Sequence, residues 1–278
     1  MIVYPNCKIN LGLNILKKRP DGYHDLETVF YPIPLNDMLE IIKNDETEQN
    51  PEIPFSSSGL AIPGPADANL CIRAWQLLKK DFPTIPPVKI HLHKIIPIGA
   101  GLGGGSADGA FALNTFNHIF RLGLSDEKLM VYASLLGSDC PFFIINKPCF
   151  AAGRGEILQE KALDLSDYKL LLVNPGININ TADAFRNLTP AIPVISVKEI
   201  ISAPIEMWKE QLVNDFEEPI FKLFPLIKEI KEEIYKAGAI YASMSGSGST
   251  VYGIFPKQLP INTRFPSNYF VKEVLMNS

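Results

Sequence analysis

Between residues 97 and 110 the chain reads PIGAGLGGGSADGA, a run in which side chains are nearly absent. It follows an alternating apolar segment, VKIHLHKI (88–95), and leads into an apolar helical pattern, ADGAFALNTFNHIF. So much bare backbone at a strand-to-helix junction calls for a close approach, because glycine removes the Cβ that would hold a neighbour off. A flexible turn with Ser106 as an ordinary N-cap is the bland reading, and five glycines in the seven positions 99–105 would be excessive for it. A loop of pattern GxxxxGK[ST] is excluded, since no lysine follows the glycines. A dinucleotide fingerprint can be laid over 101–106, but no parallel βαβ series follows, and Asp126 stands at a helix start instead of a strand end. What remains is a glycine-rich loop running directly into a helix N-terminus, where N–H groups without intrahelical partners and the helix dipole attract an anion. Gly101, Gly103, Gly104 and Gly105 let such a backbone wrap a chain of phosphates, and Ser106 offers a hydroxyl at the helix start.

The rest of the sequence sets limits on the partner. The 278 residues are 46% hydrophobic and 20% charged, with a net charge of −4, so there is core enough for one large or two modest domains and no basic field for nucleic acid or anionic lipid. No run of eighteen apolar residues suggests a membrane span, and the first residues, MIVYPNCKINLGLNIL, lack the basic and apolar regions of a signal peptide. Cys7, Cys71, Cys140 and Cys149 show neither CxxC nor zinc-site spacing and read as reduced structural thiols of a cytoplasmic protein. KINLGLNIL alternates as a half-buried strand, with Ile9, Leu11, Leu13 and Ile15 on one face and Asn10, Gly12 and Asn14 on the other. After the turn signal PDGYHD (20–25), ETVFYPIP reads as a second strand, and 66–82 as a helix. In VKIHLHKI the inward residues are Val88, Ile90, Leu92 and Ile95, leaving His91 and His93 on a solvated face without a third metal ligand. Ser125 caps a helix over SDEKLMVYASLLG, GSDCPFFII (137–145) turns into an apolar strand, and CFAAGRGEIL forms a hairpin turning at Gly153–Gly155. Beyond a boundary near 150–165 come a strand in YKLLLVNPG, a short helix in TADAFRNL, mostly helix over 196–236, and strand, glycine turn, strand over 238–255.

PIGAGLGGGSA resembles the second motif of the GHMP kinase superfamily, which holds ATP phosphates with a glycine-rich loop that lacks the P-loop lysine. KINLGLNIL resembles the first motif of that superfamily and SMSGSGST (243–250) the third, in order and across essentially the whole chain. Within the superfamily, RPDGYHDLETVF (19–30), LGSDCPFF (136–143) and GRGE (153–156) resemble the branch whose acceptor is a CDP-linked methylerythritol. The resemblance implies an α+β, two-domain GHMP kinase fold: an N-terminal mixed β-sheet with helices (1–155), a C-terminal ferredoxin-like α/β domain (156–278), and an active site in the cleft between them. It also implies transfer of the γ-phosphoryl of ATP, with Mg²⁺, to a tertiary hydroxyl, by a monomer or weak homodimer without nucleic-acid or membrane partners. A kinase for another small alcohol and a catalytically silent nucleotide-binding protein on the same fold are the alternatives.

Phosphoryl transfer needs mainly positioning and neutralisation of charge. By resemblance the catalytic pair is Lys8 and Asp139; read alone, they are a solvent-facing strand lysine and a turn or cap residue. The nucleotide is expected on Pro97, Ile98, Gly99, Ala100, Gly101, Leu102, Gly103, Gly104, Gly105, Ser106 and Ala107, with Asn69 and Lys94 as weaker candidates for the adenine side. Asn10 shares a strand face with Lys8 by the two-residue period and is a candidate for the acceptor hydroxyls. Tyr23 and His24 lie in a turn, where exposed aromatics serve binding more readily than packing. In the resembling branch the tyrosine stacks on cytosine, the histidine bonds its polar edge, and the aromatic matching Phe185 closes the sandwich; Phe185 is otherwise a core contact of a short helix. Thr181 caps that helix or binds substrate. No metal ligand is assigned: superfamily members that place serines in the loop have Gly103, Gly104 and Gly105 here, Ala107 stands where close relatives often carry serine, and Asp108 is either a ligand or a partner of the helix dipole.

Overall fold

The computed structural model describes residues 1–44, 53–186 and 188–276. A short β1 (Ile2–Val3) is followed by β2 (Asn6–Lys18), β3 (His24–Asn36), β4 (Met38–Lys43) and β5 (Phe55–Gly59). Then α1 (Leu70–Asp81) and β6 (Val88–Lys94) lead to the glycine run, from which α2 (Gly104–Phe120), α3 (Asp126–Leu136) and α4 (Cys140–Ile145) emerge. β7 (Cys149–Gly153), β8 (Ile157–Glu160), β9 (Tyr168–Asn174) and α5 (Thr181–Arg186) come next. The chain ends in α6 (Val197–Ile200), α7 (Trp208–Gln211), α8 (Glu217–Leu223), α9 (Pro225–Lys236), β10 (Tyr241–Met244), β11 (Val251–Pro256) and β12 (Phe270–Leu275). None of the described helices is long and apolar enough to cross a membrane.

These elements sort into two units that are not continuous in sequence. The first comprises Met1–Cys7, Leu35–Ile98 and Gly103–Asn146. Its sheet runs β1-β4-β6-β5, with β4 antiparallel to β1 and β6 and β5 parallel to β6, so it is mixed. β6 shows why the sheet buries one face: Val88, Ile90 and Leu92 point inward onto Leu78 of α1, Leu113 and Phe116 of α2 and Leu129 of α3. The period of two carries the inward face to Lys94, not to the expected Ile95, which is exposed. On the outer face His91 hydrogen-bonds Ser56 and Ser58, and His93 hydrogen-bonds Ser58. The stretch CPFFII, expected as a strand, is helix α4, with Pro141 in its first turn. A short, wholly apolar run carries no periodicity to separate strand from helix, and proline at a helix start loses no N–H bond. Ser125 stands at the N-cap of α3 as expected.

The second unit comprises Lys8–Pro34, Gly99–Leu102 and Lys147–Ser278. One sheet runs β2-β3-β7-β8, with β7 and β8 joined as the expected hairpin. β2 is buried on both faces from Cys7 to Ile15, not half-buried. Segment 212–215 covers the face read as open: Leu13 N–H donates to Val213 O (2.8 Å), Asp215 N–H to Leu13 O (2.9 Å), and Asn14 to the Asp215 carboxylate. Gly12 is required there, because a Cβ would lie 2.5 Å from Leu212 Cδ1. The other sheet runs β10-β11-β9-β12, antiparallel throughout. On it α9 lays Ile227, Ile230 and Ile234, the i, i+3, i+7 stripe of an amphipathic helix, against Ala242, Val251 and Phe255. All four cysteines are buried.

Gly253 of β11 marks the tightest point under α9: a Cβ there would lie 2.2 Å from Ile234 Cγ2 and 2.9 Å from Phe255 Cε2. Gly253→Ala is expected to destabilise the protein by about 1–3 kcal/mol through overpacking, read as a lower midpoint in urea with an unchanged m-value.

Candidate active site

In the second unit residues 99–102 of the glycine run meet strand β2 and the turn between β10 and β11. Ser245, at the end of β10, accepts the amide N–H of Asn10 (3.2 Å) and donates its hydroxyl to Gly101 O (2.8 Å). Its own carbonyl sits where a side chain at 101 would begin: a Cβ on Gly101, whose φ is +79°, would lie 1.9 Å from Ser245 O. Lys8 N–H donates to Leu102 O (2.9 Å), and Thr250 N–H to Ala100 O (3.3 Å). Residues 99–102 are thus tied to β2 and to both ends of the β10–β11 turn.

Lys8 is 3% exposed. Its ammonium donates to Asn10 Oδ1 (2.5 Å) and Gly101 O (3.4 Å) and lies 4.8 Å from the centre of the Phe30 ring. Asn10 is oriented from behind, donating through Nδ2 to Thr28 Oγ1 (3.1 Å), while Tyr252 donates its hydroxyl to Asn10 O (2.8 Å). The two-residue period therefore does place Lys8 and Asn10 side by side, and these acceptors offset part of the cost of burying the ammonium.

In the first unit α2 begins inside the glycine run. Gly103 is its N-cap in the left-handed region (φ +69°), and no side chain caps the first turn. A Cβ on Gly105 would meet nothing within 4 Å, whereas one on Gly104 would lie 2.8 Å from Ile96 Cγ2 and 3.0 Å from Lys94 Nζ. An uncapped helix start with one open glycine fits an anion, since the first four N–H groups of a helix lack intrahelical acceptors. Ser106 hydrogen-bonds the Cys140 thiol, whose pKa burial pushes up to about 12. Ala107 is fully buried, and Leu102 and Ala100 are buried, while Pro97 is half-buried and Ile98 and Gly99 are exposed.

Three candidates of this unit are already engaged. Lys94, 3% exposed, pairs with Asp37 and with Asp108 Oδ2 (2.8 Å). Asp108, also 3% exposed, is thus engaged with the buried Lys94 ammonium. Asn69 is the N-cap of α1, its Oδ1 accepting Cys71 N–H (2.9 Å). Asp139 is half-buried at the N-cap of α4, without capping that helix through its side chain.

The aromatic candidates gather in the second unit. His24 and Phe185 stack on each other, centroids 4.7 Å apart and planes 11° from parallel, and Phe185 meets Phe216 edge-on at 4.9 Å. Burial holds the His24 imidazole below its usual pKa, with Lys18 adding to the shift. Tyr23 is 58% exposed on the turn, one face covered by the Arg154 guanidinium at 5.0 Å. The sequence reading did not single out Arg154, Asp37 or Ser245, although GRGE and SMSGSGST contained two of them. The side chain of Thr181 lies outside the described residues.

The GHMP kinases N terminal domain matches residues 69–147, and the GHMP kinases C terminal domain matches residues 197–262. The fold defined by these sheets, with an uncapped glycine-rich helix start, is that of a GHMP kinase: the Methanococcus jannaschii mevalonate kinase structure superposes with a TM-score of 0.70, covering 100% of this chain and 98% of that one at 15% identity. A crystal structure of 4-(cytidine 5'-diphospho)-2C-methyl-D-erythritol kinase superposes with a TM-score of 0.76 at 34% identity, covering 91% of this chain and 90% of the other. The 4-diphosphocytidyl-2-C-methyl-D-erythritol kinase of Bacteroides fragilis is 54% identical over 255 residues, 92% of each chain. The chain belongs to this family of kinases within the GHMP group, and as a kinase it is a phosphotransferase that uses ATP.

Gly101→Ala puts a methyl group into the Ser245 carbonyl and is expected to weaken ATP binding roughly a hundredfold, since displacing a positioned loop by about 1 Å costs that much. Titration calorimetry with ATP measures it; unchanged affinity in a folded variant contradicts the role of this contact.

Proposed function

We propose that the protein transfers the γ-phosphoryl group of ATP to the 2-hydroxyl of 4-diphosphocytidyl-2-C-methyl-D-erythritol, within isoprenoid precursor synthesis. The observation that carries the reading is the buried Lys8 ammonium, held by Asn10 against the carbonyl of a phosphate-type glycine loop. The name of the 54%-identical relative supports the choice of acceptor.

Each residue then has a definite task. The amides at the start of α2, Gly103 to Ala107, hold phosphate oxygens, and the flanking stretch 97–102 shapes the loop. Asp139 accepts the proton of the attacking hydroxyl, or orients that hydroxyl, as transfer proceeds. Lys8 offsets the charge spread over the transferred group, and Asn10 binds an acceptor hydroxyl. Tyr23, on its face away from Arg154, stacks on the cytosine, and His24 and Phe185 complete the pocket, with Thr181 a further candidate for the substrate. Base stacking on an aromatic contributes on the order of 1–3 kcal/mol. Asn69 and Lys94 serve the nucleotide end, Lys94 through its buried ion pairs. Mg²⁺ accompanies the ATP and neutralises its phosphates; the described residues hold no cluster of three or more His, Cys, Asp or Glu side chains suited to a metal ion.

An assay of ADP release over 4-diphosphocytidyl-2-C-methyl-D-erythritol, mevalonate and homoserine tests the acceptor: turnover is expected with the first alone, and turnover with either of the others but not the first refutes the reading. Asp139→Asn and Lys8→Met are each expected to lower kcat about 10²–10⁴-fold, the range of a positioned proton acceptor or charge partner. ATP affinity should stay near the wild-type value in Asp139→Asn.

A further inference from the structure

Beneath the loop the first unit contains an ionic cluster for which the proposed chemistry has no direct use. The side chains of Asp37, Lys94 and Asp108 are 0%, 2% and 4% exposed. Asp37 Oδ1 accepts the amide N–H of Ile95 (2.6 Å) and of Ile96 (2.9 Å), while its Oδ2 accepts from the Lys94 ammonium. The same ammonium donates to Asp108 Oδ2 (2.8 Å), and it packs where a Cβ on Gly104 would stand. Lys94 is the last residue of β6 and Ile95 and Ile96 lead from it into the glycine run, while Gly104 and Asp108 lie one turn apart on one face of α2. One carboxylate therefore fixes the root where the loop leaves the sheet, and one ammonium joins that root to the first turn of the helix where the loop ends.

From this geometry we infer that Asp37, Lys94 and Asp108 form a clamp across both roots of the glycine loop, and that Asp37 and Asp108 are positioning residues for the ATP phosphates. Stability alone does not account for the cluster. Buried ion pairs give little net stability relative to apolar residues of similar size, because desolvation offsets their attraction. Here the balance is worse, with two carboxylates to one lysine and with Asp108 Oδ1 buried without a hydrogen-bond partner among the described residues. Burial, together with the nearby Asp37 charge, pushes the Asp108 carboxyl up to about 7 against the pull of Lys94. What the cluster supplies is direction: amide groups that bind phosphates must be aimed within a fraction of an ångström, and directional bonds to both roots do this where apolar contacts slide.

The inference rests on reading 97–107 as the nucleotide site, so the test separates the two. Gly105→Asp adds a carboxylate in open space at the helix start and is expected to abolish ATP binding with the midpoint of thermal unfolding unchanged. If it binds ATP like the wild type, the site reading falls and the clamp with it. The clamp itself is tested by Lys94→Met with Asp108→Leu made on an Asp37→Asn background, so that no charge is left buried alone and the amide oxygen at position 37 still accepts from Ile95 and Ile96 N–H. This triple variant is expected to unfold at or above the wild-type midpoint and yet to bind ATP roughly tenfold or more weakly. Its KM for 4-diphosphocytidyl-2-C-methyl-D-erythritol should stay within about twofold. Wild-type ATP affinity in the triple variant, with Gly105→Asp inactive in binding, overturns the clamp alone. Asp108→Asn keeps an acceptor for Lys94 and is expected to bind ATP within about threefold of wild type, whereas Asp108→Ala loses tenfold or more; equal losses in both also overturn it.

Discussion

The carbonyl oxygen of Ser245 occupies the space in which residue 101 would carry its Cβ, and much of the site follows from that single approach. Only glycine permits it, and Gly101 then offers its own carbonyl to both the Ser245 hydroxyl and the Lys8 ammonium. Ser245 in turn receives the amide of Asn10, whose side chain holds Lys8. Three stretches far apart in sequence, 8–10, 99–102 and 245–250, become one hydrogen-bonded piece of the second unit. Lys8, on a strand separate from the loop, is held by Asn10 against the loop's own carbonyl.

The first unit handles the other half of the loop differently. Its α2 starts from a left-handed glycine, a residue with no side chain to cap the first turn, and a helix start of that kind suits an anion. The apolar face of α2 is fixed by Leu113 and Phe116 in the core, and its start by the Asp37–Lys94–Asp108 cluster. Packing sets where the helix lies, and directional bonds set where its first amides point.

Much of this was legible in the sequence because it depended on local rules. The glycine run forced a close approach, the two-residue period put Lys8 beside Asn10, and the turn signals placed the Gly153–Gly155 hairpin. The misreadings share a cause: burial that depends on distant chain. CPFFII carries no periodicity and forms helix α4; β2 reads as half-buried because nothing local announces that 212–215 packs on it. Lys94 is a candidate for the adenine side from its place beside the loop, and nothing local announces its two carboxylate partners at positions 37 and 108, on other elements. Arg154 covers Tyr23 from the β7–β8 turn, a pairing that no sequence spacing encodes.

The central claim is that the amides at the start of α2 receive the phosphates. Backbone ¹⁵N–¹H spectra recorded during titration with a non-hydrolysable ATP analogue address it at each residue. The account predicts the largest shifts at Gly103, Gly104, Gly105 and Ser106, together with slowed hydrogen exchange there. Saturable binding that leaves those four resonances in place would contradict it.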